Sequence, residues 1–127
     1  MITSLYAALL ALIFVFLSLS TIKTRRELKI PLGDGNNPKL TKLIRAHSNF
    51  AEYVPFALIL IYMAETQGAN KLFIHLLGIT LLIGRSIHAY GISQLNENYK
   101  FRVSGMTMTF ITIITSAIYL VFSYLFK

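Results

Sequence analysis

The sequence contains no cysteine. That absence excludes a disulfide framework, a thiolate metal site and a protein thiol nucleophile, so any sulfur chemistry must be brought by a ligand. Charge is scarce as well: 13% of residues are charged while 55% are hydrophobic, a balance far from the soluble average that marks a membrane protein. The rarer sign is negative, with five Asp and Glu against twelve Lys and Arg and a formal charge of +7. A basic excess can mark a nucleic-acid binder, yet the basic residues are not interleaved with aromatics on a soluble face, and seven of the twelve lie between Lys23 and Arg45. A cytoplasmic segment flanking the membrane accounts for them, and no nucleic-acid partner is expected. Three histidines without suitable Asp, Glu or Cys spacing make no metal site.

What the sequence does have is a set of long apolar runs. Met1 to Ile22 carries no charged side chain and has about the roughly 20 residues needed to cross a bilayer. It is expected to be a transmembrane helix and not a cleaved signal peptide, because the positive charges follow the apolar run and no small-x-small site ends it. Lys23 to Pro38 is expected as a loop, opening with KTRRELK and closing with PLGDGNNP. Asn37 can cap the next helix, with Pro38 in its first turn. ETQGAN is a tight turn, with Gly68 as a helix stop and Asn70 as a cap. The expectation is an all-α, integral membrane four-helix bundle forming one domain over 1–127, with helices at about 2–22, 38–66, 71–91 and 103–126.

The informative stretch is RAHSNFAEYVPF, Arg45 to Phe56. At about 100° per residue Arg45, Asn49 and Glu52 share one stripe of helix 2, while His47 points to the opposite side. Polar side chains entering a bilayer are costly unless they face a protein interior or a wet cavity, so this segment is a site candidate. Helix 3 ends in GRSIHAYG, which puts Arg85 and His88 one turn apart on a single face. His75 has no such companion and is taken as structural. The Thr and Ser residues of helix 4 can bond to their own backbone and call for no functional explanation.

Counting Lys and Arg by loop orients the chain. The connection between helices 1 and 2 holds Lys23, Arg25, Arg26, Lys29, Lys39 and Lys42, and that between helices 3 and 4 holds Lys100 and Arg102; the other side has Lys71 and Lys127. Both termini should face away from the cytoplasm. Arg45, Asn49, Glu52, Arg85, His88 and Arg102 then converge at the cytoplasmic end. Three arginines, a glutamate, an asparagine and a histidine suit a small ligand with several carboxylates and one ammonium, such as glutathione, with lipid headgroups an equal candidate on composition alone.

RAHSNFAEYVPF resembles the Arg-x-x-x-Asn-x-x-Glu-Tyr-x-Pro signature of the MAPEG family, membrane-associated proteins in eicosanoid and glutathione metabolism. TRRELK after helix 1, GRSIHAYG in helix 3, the length and the four-helix layout support the resemblance, which covers essentially the whole chain and looks like the compact bacterial-type branch. It implies a homotrimer in the membrane, by extension a bacterial inner membrane, with glutathione as co-substrate bound between subunits. Arg45, Asn49, Glu52 and Tyr53 of one subunit would bind it together with Arg85 and His88, while His47 and Arg25 would come from the neighbour. Arg102 resembles the arginine proposed to stabilise the glutathione thiolate. The implied activity is a glutathione transferase or peroxidase acting on a lipophilic small molecule that arrives through the membrane lipid.

The sequence also departs from the family pattern. Where some members carry a tyrosine one turn after the position of His88, this chain has Ile92, and Ser48 stands where some relatives have arginine. A non-catalytic, lipid-binding member of the same fold is the alternative. A small multidrug-type transporter fits less well, because helix 1 has no acidic coupling residue. Topology is directly testable: reporter fusions at Lys127 and within the Lys23 to Pro38 loop should place the first outside the cytoplasm and the second inside. A cytoplasmic C-terminus contradicts the orientation.

Overall fold

Helix-stopping residues divide the chain into the four helices that the sequence suggested, with the largest departure at the end of the first. The computed structural model describes residues 1–127 and is all helical: α1 (Ile2–Leu28), α2 (Pro38–Thr66), α3 (Lys71–Ser93) and α4 (Tyr99–Leu125). Asn37 Oδ1 accepts the Leu40 N–H at 3.1 Å, and Asn70 Oδ1 accepts the Leu72 N–H at 2.8 Å, so both asparagines cap as expected. Gly68 has φ 88°, a left-handed conformation that a side chain would strain, and it ends the helix 2 segment. Asn98 caps α4 by accepting the Lys100 N–H.

That departure is at the end of helix 1. The charged run after Ile22 is not loop, because α1 continues to Leu28 and closes at Lys29 in the left-handed region, φ 55°. Lys, Arg, Glu and Leu are good helix formers, so charge ends the membrane-embedded part without ending the helix. Helices 3 and 4 likewise run longer than expected, α3 to Ser93 and α4 from Tyr99, which leaves Gln94 to Asn98 as the connection and puts Arg102 in the first turn of α4.

α1, α3 and α4 are each long and apolar enough to cross a membrane. α2 packs against the other three, and its buried residues Ala46, Phe50, Val54, Ala57, Ile61 and Ala64 recur at intervals of three and four, a continuous helical stripe. α4 is built the other way round. Its buried stripe is Gly105, Thr109, Thr112 and Ser116, while Phe110, Ile111, Ile114 and Ile118 face outward. Small and hydroxylated residues inside, with large apolar ones outside, suit a solvent of lipid, where close backbone approach drives packing more than hydrophobic exclusion. The hydroxyls donate to carbonyls one turn back, as Thr109 does to Gly105 O and Ser116 to Thr112 O.

At the end opposite the basic loops, Glu65 serves as the missing cap of α1: its carboxylate accepts from the backbone N–H of Ile2 and Thr3 and from the Thr3 hydroxyl. His75 bonds the Tyr6 hydroxyl at 2.8 Å and meets that ring edge-on, a structural role.

A backbone-to-backbone seam joins α3 to α4 at Gly84 and Gly105. A Cβ on Gly105 would lie 2.5 Å from the Gly84 carbonyl oxygen and 2.6 Å from His88 Cβ. Gly105→Ala should therefore push the two helices apart, costing about 1–3 kcal/mol of overpacking, against which a helix-propensity gain of about 1 kcal/mol is the opposing term. The expected result is a lowered thermal midpoint in mild detergent, with Leu76→Ala on the lipid-facing surface changing little. A raised midpoint for Gly105→Ala contradicts the close seam.

Candidate functional site

The α3–α4 seam brings Arg85 into the middle of the protein. Its side chain is fully buried, at 0% exposure. Nη2 donates to Asn49 Oδ1 of α2 at 2.7 Å and lies 3.3 Å from His88 Nδ1, which must accept because a guanidinium only donates. Nη1 reaches Met106 Sδ at 3.4 Å and Thr109 Oγ1 at 3.5 Å, and the guanidinium carbon sits 5.7 Å from the Phe50 ring centroid. Nε has no partner. All of these neighbours are neutral. Both ion pairs of the protein lie elsewhere, so Arg85 is a buried cation without a carboxylate. Such a group is held at considerable cost, which makes the surroundings receptive to an anion.

One helical turn from this network, at Arg45 on α2 and Ile92 on α3, a cleft of about 500 Å³ opens, lined by Asp34, Asn36, Pro38, Thr41, Lys42, Arg45, Ile92 and Arg102, and Arg85 itself does not line it. Under it lies Glu97, its side chain 3% exposed, with Oε1 2.9 Å from Lys42 Nζ and Oε2 3.0 Å from Arg102 Nε. Arg102 also sits over the Tyr99 ring, 5.6 Å from its centroid. Asp34 accepts from the Asn36 N–H at 3.0 Å and from the Thr41 hydroxyl at 2.7 Å, and the Asn36 bond first, then the Thr41 bond, holds its carboxyl below the usual range. The cleft thus presents Lys42, Arg45 and Arg102 against one lining carboxylate.

His47 and Arg25 belong to a different place. Together with Ser18, Thr21, Ile22 and Ile44 they line a cleft of about 390 Å³ between α1 and α2. Ser18 donates its proton to Phe14 O and accepts from His47 Nε2 at 2.9 Å, while Phe14 stacks on the imidazole at 4.7 Å. Arg25 folds back on the loop, its Nη1 donating to Gly33 O at 2.6 Å and to Ile30 O at 3.3 Å. Within one chain, then, Asn49, Arg85 and His88 form one network, Arg45 and Arg102 line one cleft, and His47 with Arg25 occupy the other side of α2. Tyr53 packs edge-on against Phe110. Glu52 is exposed, and it makes no ion pair with Arg45.

These groups occupy a bundle whose sequence can be compared with known proteins. The model of the MAPEG family matches residues 3–122. The chain belongs to the MAPEG family. It is 37% identical over 109 residues to the inner membrane protein YecN of Escherichia coli K12, covering 86% of this chain and 82% of that protein, and equally to YecN of Escherichia coli O6:H1 strain CFT073. The RAHSNFAEYVPF segment of this MAPEG chain therefore sits on α2 with its polar residues divided between two sides of the helix. Sequence reasoning missed Glu97, Lys42 and Thr109. The available signal for Glu97 was its rarity: it is one of five acids, next to a basic helix start.

The uncompensated charge yields a prediction. Arg85→Met removes a buried cation and keeps an unbranched chain of similar reach, so the ligand-free protein should keep or raise its thermal midpoint. Asn49→Ala leaves the cation and deletes its shortest bond, which should cost about 1.5–3 kcal/mol. A large loss of stability in Arg85→Met contradicts the reading of Arg85 as a residue kept at the expense of stability.

Proposed function

We propose that this chain is a membrane-bound glutathione-dependent transferase or peroxidase acting on lipophilic electrophiles, assembled as a homotrimer with its ligand between subunits. One observation carries the reading: Arg85 is a buried guanidinium with neutral partners only, and one turn away along α2 and α3 opens a cleft lined by Lys42, Arg45 and Arg102. Glutathione answers that arrangement, since it brings two carboxylates, an ammonium group, two peptide amides and a thiol. Arg45 offers a bidentate fork for a carboxylate, Asn49 can bond an amide, and Arg85 and His88 back the site from α3. Glu52 and Tyr53 follow on α2, and Glu52, unpaired and exposed, is available to the ammonium.

The division of polar residues between two sides of α2 supports a site completed by a neighbour. One subunit's Arg25 and His47 would meet the next subunit's Arg45 and Glu52. An apolar groove of about 240 Å³ between α1 and α2, lined by residues including Ala7, Leu10, Phe14 and Pro55, adjoins the His47 cleft through Phe14 and supports entry of the electrophile from the bilayer. The YecN relatives support an inner-membrane location.

The chemistry asked of the protein is modest. A free thiol ionises near pKa 8.5 and the thiolate is the nucleophile. Lowering that pKa by about two units takes about 2.7 kcal/mol of preferential stabilisation, within reach of one close guanidinium, for which Arg102 is our choice. With the thiol proton released to water, the sulfur attacks an electrophilic carbon. For an epoxide, the C–S bond forms as the C–O bond breaks, and the alkoxide takes a proton from water in the open cleft. The pairing of Arg102 with Glu97 favours a second reading, a non-catalytic member that binds the ligand without activating its sulfur.

Calorimetric titration of the detergent-purified protein with glutathione tests the proposal. Arg45→Ala or Glu52→Ala should weaken binding on the order of ten- to a hundred-fold, while Arg102→Ala should bind appreciably and conjugate a generic electrophile more slowly. Native mass spectrometry should give a trimer. No binding by wild type overturns the proposal, and binding without conjugation leaves the non-catalytic reading.

A further inference from the structure

Glu97 is the one nearly buried carboxylate in contact with the basic cleft. It lies in the Gln94 to Asn98 connection, between the end of α3 and the start of α4. Its two oxygens are divided between two cations from different helices, Lys42 of α2 and Arg102 of α4, at 2.9 Å and 3.0 Å. Both cations line the cleft, and their side chains are 24% and 37% exposed against 3% for the glutamate. The carboxylate is therefore behind them, and they stand between it and the cleft water.

We propose that Glu97 is a positioning residue: it holds Lys42 and Arg102 in place so that both face a single anionic group in the cleft. The inference rests on the anion-binding reading of this cleft and deepens it. Long basic side chains lose considerable rotamer freedom when ordered, and a buried anion that orders two of them removes that cost from ligand binding. Glu97 Oε2 lies 3.0 Å from Arg102 Nε as an ion pair without hydrogen-bond alignment, so it holds the guanidinium by charge and leaves its N–H donors for a ligand; the Tyr99 ring supports the guanidinium plane. Lys42 sits one turn of α2 before Arg45 on neighbouring positions, so fixing Lys42 and Arg102 also sets the gap in which Arg45 works. Glu97 contributes no ligand contact of its own.

A purely electrostatic role predicts the opposite sign. If Glu97 merely offset positive charge, its neutralisation would strengthen the attraction for anions, an effect that salt screens because the cleft is open to water. If it positions the two cations, neutralisation weakens anion binding, and raising the salt does not erase the difference.

The test uses the full chain in mild detergent and two probes, inorganic sulfate and glutathione, titrated by calorimetry at low and high salt against wild type, Glu97→Gln and Glu97→Asp. Glu97→Gln is isosteric, and its thermal midpoint and oligomeric state serve as the check on folding. Positioning predicts about tenfold weaker binding of both probes by Glu97→Gln, retained at high salt, with partial recovery in Glu97→Asp, which restores the charge on a shorter arm. Equal or tighter binding by Glu97→Gln overturns the inference, and if wild type binds glutathione the functional reading survives that loss. Sulfate binding that follows the expected pattern without any glutathione binding upholds Glu97 and overturns glutathione as the ligand. Failure of wild type to bind either probe overturns both.

Discussion

The structure depends on one costly arrangement, a guanidinium enclosed in a membrane bundle without a counter-ion. Arg85 is met by an amide oxygen, an imidazole nitrogen, a hydroxyl, a thioether and an aromatic ring, drawn from α2, α3 and α4. Each neighbour is neutral, so the charge is solvated by dipoles and left electrostatically incomplete. Stability alone does not favour such a choice, because hydrophobic replacements of buried ionic groups are commonly neutral or stabilising. In the function we propose, that incomplete charge is met by an anion that visits the site.

The helices are built so that this arrangement can exist. Small residues on the inner stripe of α4 let its backbone approach α3 at Gly84 and Gly105, and that approach delivers Thr109 and Met106 to the guanidinium. Large apolar side chains face the lipid, where they do little to specify packing. At the cytoplasmic end expected from the loop charges, the extra turns of α1 carry Arg25 beyond the apolar run, where it ties down the loop that follows. The same loop then supplies Asp34 and Asn36 to the rim of the basic cleft. Packing at the seam, the end of one helix and the lining of the cleft are thus successive consequences of where small and charged residues fall.

Much of this was legible beforehand, and the unequal parts have physical causes. Asn37, Pro38, Gly68 and Asn70 act locally on the backbone, so the boundaries that they set follow from sequence. Nothing local stops α1 at Ile22, so the helix runs on to Leu28, past the length that membrane thickness requires. The split between Asn49 and His47 follows from helical geometry, two residues apart being about 200°. Glu97 and Glu65 were illegible for the converse reason. Each is a single acid in a polar stretch with a partner far away in sequence, Lys42 for one and Thr3 for the other, although Glu97 also pairs with the nearby Arg102. The resemblance of RAHSNFAEYVPF to the MAPEG signature reached the family, and the match over residues 3–122 established it.

In the function we propose, the polar cluster of this bundle is an anion site that receives glutathione and ionises its thiol. Thiolate absorbance of glutathione bound to the detergent-purified wild-type protein, followed against pH, addresses it most directly. The account predicts a bound thiol that ionises about two pH units below the free tripeptide's value near 8.5. A bound thiol that ionises at the free value, or no saturable thiolate signal at any pH, would contradict it.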